Sequence, residues 1–261
     1  MLWKFSSNKI DISKSKIGLP NLAFQFEGYQ LIHITDFHLG TWLGTQAMLE
    51  IVNLVNQQEP DLIAITGDFI SFNPPKYIPD LKKILSKLTA KDGILAVLGN
   101  HDHYTDAKLI RDALQECKII ELRNRIHIIH KQSSQLYFAG IDDHMTGHDD
   151  LQSVIAQIPD GKNPVILLAH EPDFADLSAA SDKFALQLSG HTHGGQICLP
   201  VWGNLYLPRL GRKYPSGKYQ VQNMMVYTNR GLGTSWLKFR YNCPPEIAVF
   251  ELHNNRCENN S

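Results

Sequence analysis

Short apolar runs, several of them rich in β-branched residues, recur along the chain and constrain its fold more than any other feature. The first six runs have the length of buried strands and occupy residues 31–35, 62–66, 94–98, 136–140, 165–169 and 184–188. Between several of them lie segments whose apolar residues have helical spacing, such as Met48, Ile51, Val52 and Val55. Alternating strands and helices predict βαβ units and a sheet that helices cover on both faces.

The last third of the chain has a different pattern. Two further apolar runs, 224–228 and 247–252, are separated by Gly- and Pro-rich connections without a clear helix. They predict a second sheet packed on the first within one domain. The chain has 261 residues, of which 43% are apolar, and this is ample for one large core. We predict an α/β domain over residues 29–253, an N-terminal extension over 1–28 and a tail over 254–261.

Charge and cysteine content exclude several classes of protein. Lys plus Arg (25) nearly balances Asp plus Glu (26), so no global field attracts nucleic acid, and we expect no nucleic-acid partner. The four scattered cysteines favour a reducing compartment over a disulfide framework. The first twenty residues match neither a membrane span nor a signal peptide. The sequence therefore predicts a cytoplasmic protein, with peripheral contact to the inner membrane left open.

Polar side chains follow five of the predicted strands at the point where each strand ends. They are Asp36 and His38, Asp68, Asn100 and His101, His170, and then His191 and His193. In open α/β sheets, ligands bind outside the carboxyl ends of the strands. These side chains are therefore expected to converge on one crevice.

The donor set consists of carboxylate, amide and imidazole groups without a thiolate. Such a set suits Mn, Fe, Zn or Co better than a structural zinc, and we expect Mn first, with Mg also open. Seven or eight donors exceed the needs of one tetrahedral ion and suit two ions that share a carboxylate, at the ~3.5–4 Å separation of two-metal hydrolases. Because such a pair activates water and stabilises charge at phosphorus, the set predicts phosphoester hydrolysis.

The ordered blocks "DFH", "GD", "GNHD", "AH" and "GHTH" resemble the signature of calcineurin-like metallophosphoesterases. The later segments "PRLGRKYPSGKY", "YTNRGLGTS" and "CPPEIAVFEL" are similar to the bacterial single-domain phosphodiesterase branch, which includes UDP-2,3-diacylglucosamine pyrophosphatases. The resemblance implies a four-layer αββα sandwich, in which helices flank two packed mixed sheets.

The resemblance also implies roles for individual residues. One ion would be held by Asp36, His38, Asp68 and His193, and the other by Asp68, Asn100, His170 and His191, with Asp68 bridging. His101 would not be a ligand but would donate a proton to the leaving group or stabilise its charge, and Asp102 would orient His101. A metal-bridging hydroxide would then cleave a phosphodiester or diphosphate bond. The implied substrate is a nucleotide-linked lipid such as UDP-2,3-diacylglucosamine, and the alternative is a small soluble diester.

Departures from related families narrow the function. The second block lacks the downstream Asp-Arg of Ser/Thr protein phosphatases, and the third block ends in Asp102 where those enzymes have Glu. A protein phosphatase is therefore disfavoured. Some proteins of this fold are non-catalytic scaffolds, but scaffolds tend to lose ligands or the leaving-group histidine. Because both are retained here, the sequence favours an enzyme.

A broken apolar segment and nearby cations follow the histidine block. Residues 197–213 combine apolar and aromatic residues with Pro, Gly and cations, which allows either core packing on the second sheet or an amphipathic flap that contacts lipid. Arg209, Arg212 and Arg230 are candidate contacts for substrate phosphate, and a solvated cationic face is the alternative. The sequence leaves both alternatives open.

Overall fold

The eight apolar runs all form strands, and further strands join them in the computed structural model, which describes residues 10–41, 43–235 and 237–255. In chain order the strands are β1 (Asp11–Leu19), β2 (Tyr29–Ile34), β3 (Leu62–Thr66), β4 (Ile94–Val97), β5 (Ile120–Glu121), β6 (Arg125–Lys131), β7 (Ser134–Gly140), β8 (Val165–Leu168), β9 (Leu186–Ser189), β10 (Cys198–Leu199), β11 (Gly203–Asn204), β12 (Gly217–Val221), β13 (Met224–Thr228) and β14 (Glu246–Asn254).

Six helices form in the described residues: four at the segments with helical apolar spacing, and two short ones, over 100–105 and 175–180, that this spacing did not predict. They are α1 (Thr45–Asn56), α2 (Pro74–Leu85), α3 (Asn100–Thr105), α4 (Ala107–Glu116), α5 (Leu151–Gln157) and α6 (Ala175–Ala180), with single 3₁₀ turns at Phe24–Phe26, Pro172–Phe174 and His193–Gly195. Helix α4 begins after Asp106, whose side chain accepts a hydrogen bond from the Leu109 N–H at 3.1 Å. In the described parts of the chain, no helix is long and apolar enough to cross a membrane.

Two six-stranded sheets make up the centre of the fold. The first has the order β1-β14-β2-β3-β4-β5, and the second has the order β12-β13-β9-β8-β7-β6. Strands β2, β3 and β4 are parallel, as are β7, β8 and β9, so their carboxyl ends lie at common edges. The sequence suggested that the last two apolar runs form the second sheet together. Instead, β13 joins the second sheet and β14 inserts into the first.

Side chains from both faces of each sheet are buried, which produces four layers. In β2, Ile32 and Ile34 pack with the apolar faces of α1, α2 and α4, whereas Leu31 packs with the second sheet. On the outer face of the second sheet, Val165 and Leu167 pack with residues of α5 and α6. The period of two along a strand explains this division. The αββα sandwich expected from the sequence is therefore confirmed.

The N-terminal segment contributes a strand to the first sheet. Strand β1 pairs in parallel with β14, from Asp11 opposite Glu246 to Leu19 opposite Asn254. This strand lies within residues 1–28, which the sequence assigns to an extension, so residues 11–19 pack as an edge strand of the domain. Residues 1–9 and 256–261, which include most of the predicted tail, lie outside the described residues, and the domain bounds otherwise remain a prediction.

Candidate metal centre

All seven predicted metal ligands lie at one end of the sandwich, where the strand ends of the two sheets meet. Asp36, Asp68 and Asn100 follow β2, β3 and β4 of the first sheet, while His170 and His191 follow β8 and β9 of the second. Three groups have ligand atoms within 4.8 Å of one another, namely Asp36 with His38 and His193, Asp36 with Asp68 and His170, and His38 with Asp68 and His101. The strand ends thus converge as the sequence predicts.

Asp68 lies between two sets of imidazole groups. Its Oδ2 is 3.3 Å from Nε2 of His38 and 3.3 Å from Nε2 of His170. On one side, Nε2 of His38 is 2.9 Å from Nε2 of His193. On the other side, Nε2 of His170 is 3.3 Å from Nδ1 of His191. One carboxylate therefore faces two nitrogen pairs, which is the position that a bridging ligand would occupy.

Hydrogen bonds to backbone carbonyls determine which ring nitrogens face the cluster. Nδ1 of His170 lies 2.6 Å from the Thr66 carbonyl, and Nε2 of His191 lies 2.8 Å from the Arg209 carbonyl. Because a carbonyl only accepts, each of these nitrogens carries a proton. When each ring is neutral, as metal binding requires, the opposite nitrogen is unprotonated and directed toward the cluster.

The charge distribution of the cluster suits a cation. Burial raises the pKa of Asp68, but His170 and His101 outweigh it and hold the pKa well below its usual value. Burial lowers the pKa of His38, yet hydrogen bonds to Asp36 and Asp68 raise it to about 9. Buried carboxylates that favour positive charge at their neighbours also favour a metal ion at the same place.

Two further observations support a fit between these residues and metal ions. The Oδ1 of Asn100 is buried and has no hydrogen-bond partner among the described residues, so it is available as a ligand. Gly190 precedes the histidine block, and a Cβ at this position would lie 2.3 Å from Oδ2 of Asp36. The glycine thus lets the backbone approach the carboxylate, and the residues present fit a pair of divalent ions.

His101 and Asp102 both lie in the first turn of helix α3 but have different surroundings. The His101 ring lines the cavity above the cluster and lies edge-on to the His38 ring, with a centroid separation of 4.8 Å. The Asp102 carboxylate is fully buried and accepts backbone N–H groups of Asp68 at 2.8 Å, Phe69 at 2.8 Å and Gly99 at 3.0 Å. Instead of orienting His101, as the sequence suggested, Asp102 holds the loop that carries Asp68. Its position in the first turn of α3 directs the carboxylate toward these N–H groups.

The three candidate arginines lie in different places. Arg209 is exposed and lines the cavity. Arg212 is also exposed, and its backbone N–H is bonded to Asp173, but it is not among the described residues that line the cavity. The Arg230 guanidinium is bonded to Glu246 at 3.1 Å and to Asp11 at 2.6 Å, and Arg230 is not among the described residues that line the cavity. Its ion pairs join β1 and β14, and its contact with substrate phosphate stays a prediction.

Sequence reasoning missed two side chains that hold metal-site histidines in place. Ser71 Oγ lies 2.5 Å from Nδ1 of His38. Arg240 is fully buried, and its Nη2 lies 3.1 Å from Nδ1 of His193 and donates to the Gly233 carbonyl at 2.6 Å. Because a guanidinium only donates, it fixes the His193 ring with Nε2 toward the cluster. Neither residue belongs to a sequence block, and no local signal marks either one.

A cavity of about 600 Å³ opens above the cluster. Asp68, Asn100, His101, His191 and His193 form its polar part, and Phe72, Met145, Tyr206, Pro208 and Arg209 contribute to its walls. The walls are mainly apolar and carry one exposed cation. The cavity can therefore receive an organic substituent as well as a phosphoryl group.

Residues 197–213, for which the sequence allowed either core packing or an amphipathic flap, contain both buried and exposed apolar side chains. Ile197 is buried, whereas Val201, Trp202, Leu205 and Tyr206 are all more than half exposed. Core packing is therefore excluded for these four side chains. Val201 and Trp202 lie in the turn between β10 and β11, which form a two-stranded sheet of their own, and Leu205 and Tyr206 follow β11.

Comparison with known proteins places this geometry in a family. Residues 29–195 match the calcineurin-like phosphoesterase family. An uncharacterized metallophosphoesterase, YkuE of Bacillus subtilis, is 36% identical over 93% of this chain and 85% of its own length. The phosphodiesterase YaeI of Escherichia coli is 28% identical over 86% of this chain and 82% of its own length. The chain belongs to the calcineurin-like phosphoesterase family.

Solved structures agree on the fold alone. Sulfate thiohydrolase SoxB of Thermus thermophilus has a TM-score of 0.52 and 13% identity, and the match covers 87% of this chain and 57% of that chain. A 5'-nucleotidase precursor from the same organism has a TM-score of 0.50 and 15% identity, over 78% of this chain and 49% of the other.

Family membership confirms that the protein is a metal-dependent phosphoric ester hydrolase. Together with the ligand cluster, it implies divalent metal ions as cofactors.

Proposed function

We propose that the protein is a dinuclear-metal phosphodiesterase. Asp36, His38, Asp68 and His193 would hold one ion, and Asp68, Asn100, His170 and His191 would hold the other. The observation that carries the proposal is the position of Asp68 Oδ2, at 3.3 Å from imidazole nitrogens on both sides. The mixed oxygen and nitrogen donors suit Mn best, and Fe, Zn, Co and Mg are the alternatives.

The protein's own residues divide the remaining work. When bound, two divalent ions supply an acidified water molecule and positive charge at the phosphoryl oxygens. Arg209, at the cavity wall, neutralises a non-bridging phosphate oxygen. His101 donates a proton or a hydrogen bond from its ring to the leaving oxygen. Asp102 keeps the Asp68 loop rigid, so that the bridging carboxylate retains its position.

The cavity favours a diester over a monoester. Its volume of about 600 Å³ and its apolar walls leave room for a substituent on each side of the phosphorus. The relative named phosphodiesterase YaeI agrees with this preference. We propose a nucleotide-linked lipid such as UDP-2,3-diacylglucosamine as the substrate, because an acyl chain would pack against the apolar wall that Phe72, Met145 and Tyr206 form. A small soluble diester would leave that wall without a partner.

The test is metal-dependent hydrolysis of three substrates by the full chain loaded with Mn. We expect a higher specificity constant for bis-p-nitrophenyl phosphate than for p-nitrophenyl phosphate, and turnover of UDP-2,3-diacylglucosamine. A monoester preference would overturn the assignment as a phosphodiesterase. Failure on the lipid substrate alone would leave the diesterase in place and favour a small soluble diester.

A further inference from the structure

Strands β10 and β11 form a short hairpin whose tip projects away from the protein. At the tip, Val201 is 103% exposed and Trp202 is 85% exposed. Val201 has a φ of 72°, in the left-handed region that β-branched residues rarely occupy. Keeping two apolar side chains in water on a strained turn costs free energy without a gain in packing, which points to a partner at the tip.

The hairpin lies beside the mouth of the cavity. Its base is closed by a hydrogen bond of 2.9 Å from the Leu205 N–H to the Ile197 carbonyl. Leu205 (58% exposed) and Tyr206 (52% exposed) continue the apolar surface from the tip, and Tyr206 also lines the cavity. We call Val201, Trp202, Leu205 and Tyr206 the hairpin surface. Any partner that covers it lies next to the place where substrate enters.

The chain segment that carries the hairpin surface contains cations and no acidic residues, although Asp173 and Asp176 of another segment contact the Arg212 backbone and the Lys213 side chain. The sequence contains no Asp or Glu between Asp182 and Glu246, although the chain as a whole is nearly neutral. Arg209 and Arg212 follow the hairpin and are exposed. Lys213 is exposed too, but it is bonded to Asp176 and counts for less. An apolar tip with adjacent cations complements an anionic phospholipid surface, which presents phosphates above hydrocarbon.

A bilayer also fits the shape of the hairpin surface. A protein partner would need a groove that receives the protruding side chains, whereas a bilayer accepts a small protrusion without a preformed site. Trp is favoured at the interface because its ring is apolar and its N–H is polar. We propose that the hairpin surface docks the protein on an anionic phospholipid membrane. Val201 and Trp202 enter the boundary between headgroups and acyl chains, and Arg212, which does not line the cavity, meets the phosphates.

The experiment is co-sedimentation of the full chain with vesicles in the absence of substrate, so its outcome is independent of the proposed catalytic activity. Vesicles contain phosphatidylglycerol with phosphatidylcholine, or phosphatidylcholine alone. Val201→Ser combined with Trp202→Ser is expected to weaken binding to the anionic vesicles roughly tenfold or more. Binding of the unmodified protein is expected to weaken as salt rises from about 0.05 to about 0.5 M, because salt screens the cations.

A matched control is available at the other end of the sandwich. Phe24 is 85% exposed, as is Trp202, but it precedes β2 and so lies opposite the edge that carries the site. Phe24→Ser is expected to leave vesicle binding unchanged. Unchanged thermal unfolding and unchanged hydrolysis of bis-p-nitrophenyl phosphate by the Val201/Trp202 variant would show that only docking is lost. Arg212→Ser, a milder change, is expected to weaken anionic binding and reduce its salt dependence.

Three results would overturn the proposal. The first is full vesicle affinity in the Val201/Trp202 variant, or an equal loss in Phe24→Ser. The second is equal binding to vesicles with and without phosphatidylglycerol. The third is sedimentation of the free protein as a dimer that the Val201/Trp202 substitutions abolish, because the hairpin surface would then contact a second copy of the chain.

Discussion

Replacing Asp102 by Asn tests whether this residue holds the loop that carries Asp68 or orients the His101 ring. The carboxylate is fully buried, with Oδ1 accepting the N–H groups of Phe69 at 2.8 Å and Ile70 at 3.3 Å. Oδ2 accepts those of Asp68 at 2.8 Å and Gly99 at 3.0 Å. Asn has the same shape but presents an NH₂ group in place of one oxygen. Two backbone donors therefore lose their acceptor and face another donor.

The size of the effect follows from these contacts. Each buried donor left unpaired costs about 1–3 kcal/mol, so the free energy of unfolding should fall by about 2–6 kcal/mol. Burial, followed by the charge of Asp68, raises the pKa of Asp102 to about 7, so the carboxyl is partly protonated at neutral pH. The lower half of the range, about 2–4 kcal/mol, is therefore expected, which corresponds to roughly 4–7 °C in melting temperature for a chain of this size.

The assay is thermal unfolding of protein stripped of metal with a chelator, because ion binding would otherwise add to stability. Asp106→Asn is the matched control. Asp106 caps α4 from a partly exposed position, and Asn caps a helix about as well as Asp, so almost no change is expected. An Asp102→Asn variant with unchanged melting temperature and reduced turnover would refute the reasoning and return Asp102 to the role of orienting His101.

Three further substitutions test the site and the sheet contacts. Asp68→Ala should lower the metal content from about two ions per chain to almost none and abolish activity, and elemental analysis showing one retained ion with activity would contradict the bridging role. His101→Ala should retain both ions and lose ~10²–10⁴-fold in turnover, with a smaller loss on good leaving groups, and equal losses on aryl and alkyl esters would exclude leaving-group protonation. Burial raises the pKa of Glu246, but Arg230 and two hydroxyl donors outweigh burial and hold the pKa below its usual value of 4.5. The Glu246 carboxylate therefore stabilises the fold above pH 4.5, and this stabilisation is lost as the pH falls through the lowered pKa. Glu246→Gln should therefore destabilise the protein at pH 7 in thermal unfolding, and the difference in melting temperature should shrink as the pH falls below 4.5. A difference that stays constant as the pH falls would contradict the ion pair.

The sequence could predict the positions of the metal-site residues because two simple patterns coincide. Apolar runs identify the strands, and a polar residue directly after a run lies at the carboxyl end of that strand. His170 shows how little else is needed, since it belongs to a block of only two residues but follows "VILLA". Parallel pairing then places the strand ends together, whatever their distance along the chain.

Other contacts depend on pairings that the sequence does not display. From the sequence, Arg230 is a candidate phosphate contact. The pairing of β1 with β14, which the sequence does not reveal, brings Asp11 and Glu246 to the Arg230 guanidinium. Strand β1 is half exposed along much of its length, so it lacks the apolar run that marks a buried strand. Arg240 reaches His193 only because the loop after β13 returns across the site.

The site is divided between the two sheets, and this division relates fold to chemistry. Both carboxylates follow strands of the first sheet, whereas His170, His191 and His193 follow strands of the second. Contacts between carboxylate and imidazole across the boundary include Asp68 Oδ2 to His170 Nε2 at 3.3 Å and Asp36 Oδ1 to His193 Nε2 at 3.4 Å. Neither sheet alone combines the carboxylates with these histidines, so the site forms only when the sheets pack against each other. The apolar core between the sheets therefore sets the spacing of carboxylate and imidazole, and residues that never contact substrate determine whether the ligands can share two ions.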